Sequence, residues 1–323
     1  MTITVFRSNT MDNQIKEQMN IKVMIAVALL ALGYHKTQAQ QDIQYTQYMY
    51  NTVAINPAYA GSRGMLSLNA LYRSQWTGLD GAPQTVNFTG HTPLKIKGVG
   101  LGISLASDRI GPATESLGAA DFSYSVPMSD RTRLSFGLKA GFSALGIDTD
   151  MFDPEQQNDP YLYNQENKVS PLLGAGIYLH SETWYLGLSS PDLLETDHYN
   201  EVSVSIAREK MHLYLIGGYV FDLNPRLKFK PATLIKAVAG APMAVDLSAN
   251  FLFNDRFTLG AAYRLDAALS ALMGIQVFDG MMIGYAYDRD TTGIGDYNNG
   301  SHEVFLRFEL NSLSRAFVHP RFF

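Results

Sequence analysis

The sequence predicts an all-β protein, a transmembrane antiparallel β-barrel of about fourteen strands preceded by a short N-terminal helical or plug segment. Three observations carry this prediction. Residues alternate apolar and polar with period two along most of the chain, an export signal stands at its start, and the links between alternating segments are long at every second turn.

The export signal lies in residues 1–39. The apolar run 23–32 follows Lys16 and Lys22 and precedes Thr37, Gln38 and Ala39, the small-residue pattern of a cleavage site. The run is too short to cross a bilayer as a helix, which takes about 20 residues. It reads as a signal peptide cleaved after Ala39, with Met19 as an alternative start. Cleavage removes Arg7, Lys16, Lys22, Lys36, Asp12 and Glu17, so the 25 basic and 30 acidic residues of the chain become 21 and 28. A net acidic exported chain argues against nucleic-acid binding. The sequence holds no cysteine, which excludes disulfides, thiolate metal sites, a cysteine nucleophile and a lipidated N-terminal cysteine. Its Tyr (18), Phe (17) and Gly (27) content suits an outer-membrane barrel.

The alternation predicts strands at 65–73, 84–92, 98–107, 117–126, 132–147, 169–180, 183–189, 211–222, 227–238, 243–253, 256–264, 269–277, 281–287 and 302–310. In the fifth, Leu134, Phe136, Leu138, Ala140 and Phe142 share one face, while Arg133, Ser135, Lys139 and Ser143 share the other. A barrel turns the first face to lipid and the second to the lumen. The odd-numbered links (74–83, 108–116, 148–168, 190–210, 239–242, 265–268 and 288–301) include every long one, whereas the even-numbered links are tight turns. Long loops therefore gather on one rim, the known asymmetry between external loops and periplasmic turns. A soluble sandwich has no reason to sort its loops in this way. An even strand number also returns both termini to the periplasm.

Residues 40–64 precede the barrel (65–310) and are too aromatic for a free tail, with Tyr45, Tyr48 and Tyr50. Asn56 suits a helix N-cap, Pro57 the first helical position and Gly61 a stop, so Asn56, Pro57, Ala58, Tyr59, Ala60 and Gly61 read as a short helical turn. This segment is expected either to plug the barrel or to pack beneath its rim. Residues 311–323 form a periplasmic tail ending in Pro320, Arg321, Phe322 and Phe323, read either as a frayed end or as an assembly peptide.

These terminal segments resemble those of a known family. Gln41 and Asp42, then Gln47, Tyr48, Met49, Tyr50 and Asn51, lead into the Asn56–Gly61 stretch. Arg73 with Gln75 and Trp76 follows, then Gly81, Ala82, Pro83, Gln84 and Thr85. Further on come Gly174-Ala175-Gly176-Ile177-Tyr178, Gly187-Leu188-Ser189, Gly218-Tyr219-Val220-Phe221, Tyr285-Ala286-Tyr287-Asp288 and the closing Pro320-Arg321-Phe322. In order and spacing the chain resembles the PorP/SprF family, outer-membrane proteins of the type IX secretion and gliding motility systems. The resemblance implies a non-enzymatic accessory of secretion in the outer membrane of a Gram-negative bacterium. Its implied partners are outer-membrane lipid, the periplasmic and translocon components of the machine, and the C-terminal domain of a cell-surface adhesin that it helps export or anchor. The motifs are mostly Gly, Pro and aromatic residues, which shape backbone and assembly and imply no catalytic residues and no cofactor. A plugged fatty-acid-channel-like or porin-like transporter of small solutes is the alternative, and a barrel enzyme a distant third.

Chemical motifs point the same way. Gly98, Gly100 and Gly102 lie in an alternating strand with no helix after them, so a crowded lumen or a curved strand explains them better than a phosphate loop. His91, His180, His198, His212, His302 and His319 show no metal-ligand spacing. Ser189 and Ser270 have no triad spacing to a histidine. Asp148, Asp150, Asp153, Glu155 and Asp159 crowd the longest acidic loop without an EF-hand pattern, and a solvated loop is the simpler reading.

The candidate partner-contact residues are Trp76 and Arg73, together with Asp148, Asp150 and Asp153 on the acidic loop. Trp76 fits a binding hot spot and a membrane-interface anchor equally. Arg133, Lys139, Lys228, Lys230, Lys236 and Arg264 with Asp121, Asp246 and Glu303 are expected to face the lumen. On the lipid face an Arg or Lys near mid-membrane would cost roughly 2–4 kcal/mol. Glycine-rich strands and the N-terminal segment favour a plugged lumen over an open pore.

Overall fold

The computed structural model describes residues 44–148, 168–194 and 210–310. The expected signal peptide, the tail 311–323 with Pro320, Arg321 and Phe322, and Asp150 and Asp153 of the acidic loop lie outside the described residues.

Fourteen strands form one antiparallel sheet that closes on itself. They are β1 (Leu66–Ser74), β2 (Gln84–Pro93), β3 (Val99–Ile110), β4 (Ala113–Pro127), β5 (Arg133–Ile147), β6 (Lys168–His180) and β7 (Trp184–Ser190). β8 runs over His212–Tyr219 and, after a break at Val220, over Phe221–Asn224. β9 (Leu227–Val238), β10 (Ala244–Phe253), β11 (Phe257–Arg264), β12 (Ala268–Phe278), β13 (Met281–Asp290) and β14 (Ser301–Leu310) complete the wall. Each strand pairs with its sequence neighbours, and β1 pairs with β14 from Leu66 opposite Leu310 to Ser74 opposite His302. Closure gives every strand a neighbour on both sides, the condition for a sheet to stand in hydrocarbon. At the break in β8 the Val220 N–H donates to the Thr183 carbonyl at 2.6 Å, so the interruption leaves no orphaned donor.

The two faces are inverted relative to a soluble protein. Outward positions carry exposed apolar side chains such as Val86, Leu101, Leu138, Phe142, Leu259 and Met273. Inward positions carry buried polar ones: Asn69, Asn87, Asp121, Lys139, Lys230, Asn250 and Glu303. Exposed large hydrophobics on every strand but β9 would be a liability in water and are the requirement in lipid.

One expected link is corrected. Residues 108–116 form no long loop, because β3 extends to Ile110 and β4 begins at Ala113, leaving Gly111 and Pro112 as the turn. The hydropathy pattern fades at Ser107, Asp108, Arg109, Thr114 and Glu115, yet the hydrogen-bonded ladder continues through all of them. Backbone pairing is indifferent to whether the neighbours are lipid or water, whereas hydropathy reports only the lipid-facing stretch. β13 likewise continues to Asp290, beyond the expected 287. Among the described residues, the two longest connections, 75–83 and 291–300, lie on one rim.

Candidate functional site: the N-terminal segment in the polar lumen

Residues 44–64 lie against the inward faces of the strands. They form a 3-10 turn at Tyr48–Tyr50, a short helix α1 (Thr52–Ile55) and a second 3-10 turn at Pro57–Tyr59. The Asn56 side-chain oxygen accepts the Ala58 N–H at 3.0 Å, Pro57 stands at the first position of the turn, and Gly61 has φ +72°. The expected cap, start and stop are therefore all present. Asn56 also donates to the Ile177 carbonyl at 3.1 Å, fastening the turn to β6.

The wall is hollowed to receive this turn. A Cβ at Gly137 on β5 would overlap the backbone of Ala58, and one at Gly100 on β3 would overlap the Ala60 carbonyl. The Ser123 hydroxyl donates to that carbonyl at 2.6 Å, and the Ser189 hydroxyl donates to the Ile55 carbonyl at 2.8 Å. Glycines in the middle of strands weaken a sheet unless another backbone must come close, and here one does. Gly100 thus answers to the crowded lumen expected from its spacing with Gly98 and Gly102. Ser189, weighed as a nucleophile, points into the lumen and is spent on this contact.

Charge fixes the other end of the segment. Glu303 on β14 accepts the backbone N–H groups of Thr46 (2.9 Å) and Gln47 (2.8 Å) on its two oxygens. Arg73 on β1 pairs with Glu303 at 3.2 Å and with Asp288 on β13 at 2.8 Å. Thr46 ties both sides, receiving Arg73 on its hydroxyl oxygen and donating to Asp288 at 2.6 Å. Gln44 donates to Asp246, which also pairs with Arg264 at 2.8 Å. Nearer the tight-turn rim, Arg63 pairs with Glu309, and Arg307 stands 3.7 Å from the same carboxylate. Burial alone would pull the Arg63 pKa down, but the Glu309 carboxylate and Tyr59 together more than offset it and the guanidinium stays charged.

Between these charged ends lies an aromatic layer. Tyr50 stacks on Phe305 at 4.9 Å, with Lys230 and Arg307 over its ring at 5.1 and 5.6 Å. Tyr59 meets Tyr178 and His91 edge-on at 5.3 and 5.4 Å. Asn51 donates to Asn87 and accepts from Thr89, both at 2.6 Å. Burial raises the pKa of Tyr50, with Arg307 opposing it, so the phenol is neutral and offers its ring to the cations.

The sequence model of PorP/SprF, a type IX secretion system membrane protein, matches residues 37–308. The chain belongs to the PorP/SprF family. As a PorP/SprF protein with a closed fourteen-stranded barrel, it is a membrane component of type IX secretion and resides in the outer membrane. Among solved structures, the outer-membrane protein Omp33 of Acinetobacter baumannii is similar over 76% of this chain and 98% of its own, at 10% identity and a TM-score of 0.43. The toluene transporter TbuX of Ralstonia pickettii is similar over 79% of this chain and 91% of its own, at 9% identity and a TM-score of 0.46. The NanC porin covers 76% of this chain and 100% of its own, at 10% identity and a TM-score of 0.41. These likenesses are too loose to say what this PorP/SprF barrel binds or carries. No curated protein matches the sequence.

In the PorP/SprF barrel several candidate residues find definite partners. Lys139 pairs with Asp121 at 2.8 Å, and both bond Ser104. Lys230 and Lys236 are buried inward, the latter 5.8 Å from the Tyr214 ring. Lys228 lies at the tight-turn rim and pairs with Asp255. Trp76 adopts φ 45°, and its indole N–H donates to Asp290 at 3.3 Å. Its neighbour Thr77 exchanges backbone bonds with Gly300 and Asn299, clasping the connection after β1 to the connection before β14. Asp148 closes β5, its N–H donating to the Pro112 carbonyl.

Arg73 is a correction. It was a candidate for partner contact beside Trp76, but its side chain is 2% exposed and locked between two carboxylates inside the barrel. The strand alternation places it opposite Tyr72 and on the same face as Asn69, which rules out an outer-rim surface. Arg63, Asp288, Arg307 and Glu309 were missed. Glu303, Arg307 and Glu309 occupy one parity of β14, so the alternation that exposed Glu303 also pointed to the others.

Proposed function

We propose that this PorP/SprF protein is a non-enzymatic accessory of type IX secretion that holds or helps export a cell-surface adhesin through its C-terminal domain. The observation that carries the reading is the bonded N-terminal segment among the inward side chains. Thr46, Gln47, Asn51, Asn56 and Gly61 each bond the wall, from Glu303 on β14 round to His91 on β2 and Ile177 on β6. A lumen occupied in this way leaves little path for solute. The work then falls to the rims: an outer one with Trp76 and the acidic connection of Asp148, Asp150 and Asp153, and a periplasmic one with both termini, including Pro320, Arg321 and Phe322. The outer rim meets the adhesin domain, and the periplasmic rim meets the other secretion components.

Deleting the gene tests this. Loss of one surface adhesin with solute uptake intact supports the accessory role. Lost uptake with normal adhesin display makes the protein a channel instead. In planar bilayers the purified protein is expected to show no large steady conductance.

A further inference from the structure

Among the described residues, every inward arginine except one meets a carboxylate. Arg73 has Asp288 and Glu303, Arg264 has Asp246, and Arg63 and Arg307 share Glu309. Arg133, at the start of β5, is the exception. Its Nε donates to the Ser125 hydroxyl at 3.0 Å and its Nη2 to the Ser125 carbonyl at 3.3 Å. These bonds orient the guanidinium without neutralising it.

Arg133 lines a cavity of about 260 Å³ at the tight-turn rim. Lys97 from the β2–β3 turn and His180 from the end of β6 line it too, with the hydroxyls of Ser62, Ser125 and Ser135. No aspartate or glutamate is among its lining residues. The Ser62 oxygen is buried and has no hydrogen-bond partner among the described residues. Pro93, Leu94 and Val99 add an apolar stretch of wall. A fixed guanidinium, an ammonium and a buried hydroxyl, with no carboxylate competing, form a donor set that a multivalent oxyanion satisfies.

We propose that this cavity binds a phosphate group carried on a small organic remainder. The donors come from three separate elements: the segment after Ala60, the β2–β3 turn and β5. Three approaches suit the tetrahedral oxygens of a phosphate better than a planar carboxylate. The apolar wall accommodates the remainder. The group is supplied either by a soluble phosphate ester or by a phospholipid headgroup at that rim. The site stands apart from any adhesin contact, since it faces the opposite rim from Trp76.

The test is calorimetric titration of the full-length protein in maltoside with glycerol 3-phosphate and, separately, dihexanoyl-phosphatidylglycerol. Saturable binding of either is expected, weakened about tenfold or more by Arg133→Gln and less by Lys97→Gln. Arg131→Gln, an exposed residue of the neighbouring turn, is expected to leave it unchanged. Heat-modifiable migration on gels verifies that each variant keeps its barrel. Binding of glycerol 3-phosphate assigns a soluble source, and binding of the phospholipid alone assigns a lipid source; both uphold the site. No binding of either probe, an equal loss in Arg131→Gln, or indifference to Arg133→Gln overturns it. Binding of an acidic peptide in place of both probes also overturns it, assigning the cavity to a protein partner.

Discussion

Glu303 faces Arg73 at 3.2 Å across the seam where the last strand meets the first, and the same carboxylate takes two consecutive backbone N–H groups of the N-terminal segment. One side chain thus joins barrel closure to the docking of residues 46 and 47. The arrangement sets one buried cation between two buried acids, since Arg73 also pairs with Asp288. Removing Arg73 would leave both carboxylates buried without their cation, and breaking a buried pair in this way costs roughly 3–5 kcal/mol.

Glu303→Gln should therefore release the start of the segment before it opens the barrel. Arg73 keeps Asp288, so the wall survives. The expected result is faster amide hydrogen exchange over residues 45–50, with a lower temperature for loss of heat-modifiable migration. Unchanged exchange there would mean that Glu303 does not hold the segment.

Gly137→Val should displace the second 3-10 turn, because any side chain at that point meets the Ala58 backbone. The outward face of β5 is untouched and the barrel still assembles. A raised conductance in planar bilayers is the expected reading. Gly118→Ala is the control: that Cβ would meet nothing nearer than a Leu105 methyl at 3.6 Å. Equal conductance in both variants would refute the close-packing argument.

Asn56→Ala removes a capping oxygen and a donor to the Ile177 carbonyl together. Loss of a cap costs roughly 0.5–2 kcal/mol. Thermal denaturation followed by circular dichroism should show a lowered midpoint, and Asn56→Asp should recover part of it by restoring the cap alone. Recovery to the wild-type midpoint would show that the bond to β6 contributes nothing.

Lys139 and Asp121 offer a double-mutant cycle. Lys139→Met strands a buried carboxylate and is expected to destabilise by roughly 3–5 kcal/mol. Lys139→Met combined with Asp121→Asn should regain most of that loss. Additive losses in urea denaturation would show that the two side chains do not act as a pair.

The sequence by itself determined the wall. Period-two alternation sorts side chains between two faces, and such alternation repeated strand after strand is what a closed barrel in lipid requires. The lumen positions of Asp121, Lys139 and Asp246 follow from the same parity, and so did that of Arg73, whose place beside Trp76 in the chain suggested a rim. The capped turn at Asn56 and Pro57 was legible because capping is local chemistry, set by residues two or three positions apart. The strand ends at Ile110 and Ala113 were not, because a backbone ladder runs on where hydropathy falls silent.

Only the tertiary structure decided which inward groups meet. Gln47 and Glu303 are 256 positions apart, and their contact exists because barrel closure brings β14 beside β1, against which the segment lies. The same holds for Ala58 against Gly137 and for Arg133 against Ser125. Alternation tells a residue which way to point, while closure and register tell it what it will find there.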